Sequence, residues 1–526
     1  MIYLISNILS EKKTNNIRKI QSIQRIDIIV EVSDIKCKVI NERYLPKWTY
    51  INEINTSLDI NGFINISQYG KNNITLEWDR KEKNYQNLFE NVRDAIEITF
   101  TNFDLSEVKS ISCMFLNCYN LKKINFNNFN TSSVNDMSSM FENCFSLESL
   151  DLSNFDTTNV INMESMFRNC LGLRILNLSN FITPKLKIIN DMFNYCFNLE
   201  SLYIPNMNTS LVSYMNRTFF SCNFLRNLDI KNFDTRNAIS MSEMFMNCKM
   251  LKSLDLKNFI TSKVKSMSYM FNGCESIQNL DILNFDTSHV EYMEYMFGGC
   301  TLLTSLDLSN FDTSEVISMN YMFSLCYSLS SLNLSSFDIS QKNLNYLFSY
   351  CSSLKSIIFS KDYKLVTKIE GMFNGCSFLI SLDLSTFDFG FCENMEKLFY
   401  GCSSLTTLDL SEIDTSFVTN MGFTFAHCSS LKILIISNWI TSSLINMNYM
   451  FSHCSSLTSL DISSFDTSLV TNMEGMFDDC HNLISLNLSN FNTSSVTSMG
   501  NMFYNCTSLI SLDISSFNTS LVENMN

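Results

Sequence analysis

Nine cysteines stand 26 residues apart, at Cys118, Cys144, Cys170, Cys196, Cys222, Cys248, Cys274, Cys300 and Cys326. Two 25-residue steps lead on to Cys351 and Cys376, and the 26-residue step resumes through Cys402, Cys428, Cys454, Cys480 and Cys506. A fixed period of this length is the signature of a solenoid, because a 26-residue unit cannot bury an apolar side except against its neighbours. With Cys as position 1, the unit from Cys454 has apolar residues at positions 4, 7, 9, 12, 17, 20, 23 and 24. Leu457, Leu460 and Ile462 end in the alternation of a short strand, and Val470, Met473, Met476, Phe477 and Cys480 follow the spacing of a helical turn. Between them lies Asp466-Thr467-Ser468, residues that close Asx turns and cap helices, which is how the chain turns with 13 Gly and 3 Pro. The spacing therefore predicts an α/β repeat: stacked parallel strands about 4.8 Å apart, with short helical segments on the opposite side.

The phase extends backward, with Val92 in the cysteine slot and Phe103-Asp104 where Phe-Asp belongs, so the solenoid is expected over 85–526, about sixteen to seventeen repeats with the last incomplete. Residues 1–84 fall outside the pattern. Strand-like stretches at Asp27–Val32 and Ile74–Trp78 predict a β-rich N-terminal cap or small domain there. The sequence stops at position 21 of a unit, at Asn526, which suggests a longer protein. In the two 25-residue units, Gln341-Lys342-Asn343-Leu344 and Ser360-Lys361-Asp362-Tyr363 break the F-D-T-S-x-V pattern, so the turn is remodelled over 338–368, as a kink, a ligand-specific bump or simple drift.

Charge and motifs narrow the function classes. A net charge of −15 and a pI near 4.8 provide no basic face for phosphates, which argues against nucleic acid as partner. No run of 18 apolar residues is present, so no transmembrane helix is expected; the apolar Met1–Leu9 stretch reads as a weak or trimmed secretion signal. Phosphate-loop, nucleophile-elbow and zinc-protease motifs are missing and the four histidines offer little acid–base capacity, so the chain reads as no enzyme and calls for no cofactor.

The unit M-x-x-M-F-x-x-C-x-x-L-x-x-L-D-L-S-N-F-D-T-S-x-V, as it stands from Met293 to Val316, resembles the repeats of the BspA-like leucine-rich-repeat surface proteins. The resemblance covers about residues 85–526. It implies a right-handed solenoid with a concave parallel sheet, a cell-surface or extracellular location, and adhesion to host, matrix or other cells. No lipobox cysteine follows an N-terminal apolar segment, so the resemblance brings no mode of attachment with it.

Position 8, at the centre of the concave face, is the candidate binding column. It carries Asp151, Asp229, Asp255, Asp281, Asp307, Asp383, Asp409, Asp461 and Asp513, with Asn125, Asn177, Asn333 and Asn487 among them and Tyr203, Ile358 and Ile435 as apolar exceptions that could anchor a partner. Like charges in adjacent layers repel, so the ladder asks for a reason. Three remain open: a surface for cationic groups, a Ca²⁺ ladder, or a copied solvated Asp bonded to Ser of neighbouring strands. The cysteine column reads as buried thiols or as a disulfide ladder, the former favoured by Val92; Cys392 falls in the Val slot, and Cys37 and Cys113 lie off the column. His427, His453 and Asp479 share position 26 in adjacent layers, a possible metal set or plain surface residues. Asn130, Asn208, Asn492 and Asn518 begin N-T-S sequons. The function these features predict is a non-catalytic recognition or adhesion protein, at the cell surface or secreted, that binds protein or glycan partners. The alternatives are an intracellular interaction scaffold and the targeting region of a larger enzyme.

Overall fold

The computed structural model describes residues 23–34, 36–362 and 364–523, so the secretion-signal reading of Met1–Leu9, Tyr363 and the terminal Asn526 lie outside the described residues. The chain divides into two compact units, Met1–Ala238 and Ile239–Asn526. No helix among the described residues is long and apolar enough to cross a membrane.

In the first unit β1 (Gln24–Val32), β2 (Lys36–Lys38), β3 (Trp48–Ile51), β4 (Ile54–Thr56), β5 (Phe63–Asn65), β6 (Gly70–Trp78), β7 (Ala95–Asn102) and β8 (Lys123–Phe126) come first. Six of them form one sheet in the order β4-β3-β6-β1-β7-β8, and β2 pairs with β5. The stretches Asp27–Val32 and Ile74–Trp78 lie in β1 and β6, which run antiparallel with Ile28 opposite Ile74. Their even-numbered residues from Ile26 to Val32 and from Asn72 to Trp78 are buried, so one face is core and the other is open. The change to solenoid geometry happens at β7, which is antiparallel to β1 on one side and parallel to β8 on the other. The parallel trio β9 (Ile175–Asn177), β10 (Ser201–Tyr203) and β11 (Asn227–Leu228) follows. The second unit holds the parallel pairs β12 (Ser331–Leu334) with β13 (Ser356–Phe359), β14 (Lys364–Leu365) with β15 (Phe387–Asp388), and β16 (Thr407–Asp409) with β17 (Ile433–Ile435).

Both units stack the same layer, as the period requires. Leu457, Leu460, Ile462, Phe465, Val470, Met473, Met476 and Phe477 are all buried, and the Phe at position 24 stacks ring on ring at 5.5–5.7 Å from Phe89 to Phe219. The same column runs from Phe245 to Phe503 in the second unit, for example 5.7 Å between Phe245 and Phe271 and between Phe477 and Phe503. Each such ring contributes about 1.5–3 kcal/mol by leaving water.

The expected helical segments are replaced by turns; among the described residues the only helix is the short 3₁₀ turn Glu42–Tyr44. The reason is a competition for backbone donors. The N–H groups of Met447, Tyr449, Phe451 and His453 donate to the carbonyls of Asn472, Glu474, Met476 and Asp478 in the next layer. Those of Met450, Ser452 and Cys454 donate three residues back within their own layer. Alternate donors thus leave the layer, and an α-helix cannot give them up. Tyr449 (φ 49°) and His453 (φ 56°) adopt the left-handed region that this alternation needs. A second parallel bridge column at position 19, such as Asn420 with Asn446 and Asn446 with Asn472, runs beside these turns.

Two side-chain columns lock the layers together. Thr at position 14 is buried wherever it occurs from Thr131 to Thr493, and Thr467 Oγ1 both accepts from the Asn492 N–H (2.8 Å) and donates to the Asn492 carbonyl (3.0 Å). Thr313 still clips Asp338, but the next two slots hold Ile339 and Lys364 and backbone takes over: Gln341 N–H donates to Leu365 O (2.7 Å) and Val366 N–H to Asp388 O (2.7 Å), with β14 beside β15. The remodelled stretch is a substitute clasp. The other column is cysteine. Every cysteine is a free thiol, which removes the disulfide reading, and Sγ–H groups down the column donate to the Phe carbonyl one layer back, as Cys118 does to Phe89 O (3.1 Å) and Cys454 to Phe425 O (3.2 Å).

Candidate recognition surface

Position 8 follows from strand alternation: Leu460 and Ile462 turn inward, so Asp461 stands outward between them. The carboxylate is not idle there. Asp461 Oδ1 accepts from the Ser463 N–H (3.1 Å) and the Ser463 hydroxyl (2.7 Å), and Asp151, Asp307, Asp383, Asp409 and Asp513 each take the N–H two residues on at 3.0 Å. Asn177, Asn333 and Asn487 do the same through their amide oxygens. The bond lies within one strand rather than reaching Ser on a neighbour, and it explains why Asp and Asn interchange: both supply Oδ1. These bonds hold Asp151, Asp307, Asp383 and Asp409 below the ordinary carboxylate range through the backbone N–H, and Asp461 and Asp513 through the Ser hydroxyl first. Like-charge repulsion is therefore offset locally, and the column has a structural cause before any functional one.

In the first unit Asp229 pairs with Lys231 (3.0 Å), while Asp255, Asp281 and Asp307 occupy successive exposed positions in the second. The apolar exceptions are open to solvent: Tyr203 is 55% exposed, Ile358 57% and Ile435 40%. Two companions escape a reading of position 8 alone. Ile175 lies in β9 against β10 and Ile433 lies beside Ile435 in β17, both at position 6, which period-2 alternation puts on the same face. The face is thus acidic with apolar spots.

A cleft of about 350 Å³ opens between 381–385 and 407–413. It brings Asp383 and Asp409 together with Glu412, which the column did not single out. Elsewhere, His427 and His453 stack at 4.4 Å and His453 Nδ1 lies 2.8 Å from Asp479 Oδ2, so the position-26 trio is a contact cluster. Among the described residues, no group of three or more His, Cys, Asp or Glu side chains is arranged to hold a metal ion. Burial pushes the thiols of Cys196, Cys326 and Cys376 up to about 12, and that of Cys392 likewise, which disfavours the reactive thiolate at these four positions.

A family model described as a Mycoplasma protein of unknown function, DUF285, matches residues 83–201, 172–279, 266–387, 367–463, 393–487 and 450–526. No curated protein matches the chain. Of the solved structures, a leucine-rich repeat protein from Eubacterium ventriosum is similar at 14% identity, over 80% of this chain and 84% of that one, with a TM-score of 0.27. A chain of a TLR13–ssRNA13 complex is similar at 15% identity, over 81% and 82%, with a TM-score of 0.21.

Proposed function

The chain belongs to the DUF285 family, and from the geometry of its repeats we propose that it is a non-catalytic recognition protein, displayed at the cell surface or secreted, that binds a protein or glycan partner through its strand face. The observation that carries this reading is the outward column. Within a layer the long apolar side chains are committed to stacking, and the side chains that vary freely in charge and size stand at positions 6 and 8 of the strand. Repeat proteins bind through such rows. Asp151, Asp229, Asp255, Asp281, Asp307, Asp383, Asp409, Asp461 and Asp513 favour a cationic segment, and Tyr203, Ile358 and Ile435 supply apolar anchors. The BspA-like character of the repeat, and adhesion with it, belong to this proposal.

The column also supplies its own neutral variant. Asp→Asn keeps Oδ1 for the turn and removes the charge, as Asn333 and Asn487 do naturally. A chain carrying Asp255→Asn, Asp281→Asn, Asp307→Asn, Asp383→Asn and Asp409→Asn should melt like the parent. It should bind immobilised matrix proteins and intact cells at least tenfold more weakly. Equal binding by both chains would remove the column from recognition. Protease added to intact cells should cleave the protein, and resistance would favour an intracellular scaffold instead.

A further inference from the structure

The open face of the N-terminal sheet carries a polar cleft of about 580 Å³, within the range of small-ligand sites. Its lining includes Arg25, Asp27, Asn52, Asn73, Thr75 and Thr99. Strand register sets these groups in order. Tyr50 pairs with Thr75, Thr75 with Asp27, Asp27 with Thr99 and Thr99 with Asn125, so one row crosses five strands, β3-β6-β1-β7-β8. Strand spacing makes that row roughly 19 Å long.

The hydrogen bonds within the row fix what it presents outward. Asp27 takes the Thr75 hydroxyl on Oδ1 (2.6 Å) and the Thr101 hydroxyl on Oδ2 (3.0 Å), while Arg25 donates Nε (3.1 Å) and a terminal nitrogen (3.0 Å) to Oδ1. Thr99 Oγ1 receives Asn125 Nδ2 (2.8 Å). The Thr75 and Thr101 protons are thereby committed to Asp27, which leaves their hydroxyl oxygens available as acceptors. Arg25 keeps donors on the same surface, its other terminal nitrogen only 3.7 Å from Glu77. Asn52 is pinned at the cleft edge, its Oδ1 taking the Asn73 N–H (2.9 Å) and its Nδ2 bonding Asn72 (3.1 Å).

Elimination narrows the ligand class. An anion would meet Asp27 and Glu53, and a cation would have to displace Arg25 from Asp27. An apolar group would take the charged Arg25 and Asp27 side chains out of water with nothing in return. What remains is a neutral molecule whose groups both donate and accept at close intervals, with an apolar face for the half-exposed Tyr50 at the end of the row. We propose that this face is a saccharide site that takes a neutral oligosaccharide, its vicinal hydroxyls donating to Thr75 and Thr101 and accepting from Arg25. The row ends at Asn125, a position-8 residue, but its proposed contacts are Thr75, Thr101 and Arg25 and do not depend on the role proposed for the Asp column.

The test is titration of the full chain with maltotriose, cellotriose, chitotriose and N-acetyllactosamine by calorimetry. Saturable binding of at least one is expected, weakened at least tenfold by Thr75→Val, which removes the acceptor and keeps the β-branched shape. If Thr75→Val fails to melt cooperatively, Tyr50→Ala on the open face replaces it, with the same loss expected. The Asp383→Asn, Asp409→Asn chain should bind the sugar unchanged, which keeps this outcome apart from that of the strand face. Failure of all four sugars to bind at millimolar concentration, or equal binding by parent, Thr75→Val and Tyr50→Ala, would overturn the proposal.

Discussion

A single atom explains the cysteine column. The carbonyl of Phe425 accepts the Cys428 N–H of its own layer (3.1 Å) and the Cys454 Sγ–H of the next (3.2 Å), so both lone pairs are used. Only a small, largely apolar side chain with a proton to give fits there. Val92 proves the rule by exception: among the described residues Phe89 begins the ring column, so no phenylalanine of an earlier layer in that column offers Val92 a carbonyl to satisfy. The period was plain in the sequence, but the donor role was not, since spacing records only that something small and apolar recurs. Thiol chemistry checks the burial. Under native conditions Ellman's reagent should reach Cys113 and Cys506 alone, the two cysteines that are not fully buried, and the remaining seventeen of nineteen (19 − 2) only after unfolding. Rapid native reaction of the whole set would contradict the packed column. Thr467 is the second case at this scale. Thr467→Val is isosteric but forfeits both hydroxyl bonds to Asn492, and should lower the unfolding free energy by roughly 1–3 kcal/mol in urea titration. Thr467→Ser should retain most of that stability.

At the scale of the element, the turn run shows where sequence reading stops. Steps of 3, 3, 1 and 3 suit a helix and suit consecutive turns equally well, because both return the chain after about three residues. The distinguishing signal sat at position 26, where Asn91, Asn117, Asn143, Asn169, Gly273, Gly299, Gly375 and Gly401 recur, the residues that tolerate positive φ. Three of those carboxamides also bond layer to layer, Asn117 to Asn91 (3.0 Å), Asn143 to Asn117 (2.7 Å) and Asn169 to Asn143 (2.7 Å). Gly299 sits at φ 71°, so Gly299→Ala should cost about 1–2 kcal/mol through the left-handed backbone, read as a lower melting temperature. The same column carries a pH response. Burial holds His427 below its ordinary value, and stacked His453 lowers it further. The unfolded chain therefore binds this proton more readily than the folded one. Stability is full above pH 6.5 and falls as pH drops through it. The urea midpoint should be lower at pH 5.5 than at pH 7.5, and His427→Asn, which suits the left-handed backbone, should shrink that difference. An unchanged difference would assign the pH response to other groups.

For the whole molecule, the repeat and its core were legible because stacking forces one solution on every layer, whereas the binding face was legible only as a column. Glu412, Ile175 and Ile433 were missed because they are defined by neighbouring strands, and the N-terminal cleft because its row is assembled from β3, β6, β1, β7 and β8 rather than from any motif. The net charge of −15 gives the proposed recognition a signature that fold stability lacks. Exposed carboxylates attract a cationic partner over roughly 8 Å at physiological salt, and added salt shortens that reach. Apolar anchors lose nothing to screening. Affinity of the parent for a basic matrix protein should fall steeply between about 50 and 500 mM salt, a range that shortens the screening length severalfold. The Asp255→Asn, Asp281→Asn, Asp307→Asn chain should show a shallower slope. Ile435→Ser should shift the line to weaker binding without changing its slope, because the contact it removes is uncharged. A slope shared by the parent and the Asn chain would mean that the ladder exists for the Asx turns that Asp307 and its equivalents close, and that recognition lies elsewhere on the surface.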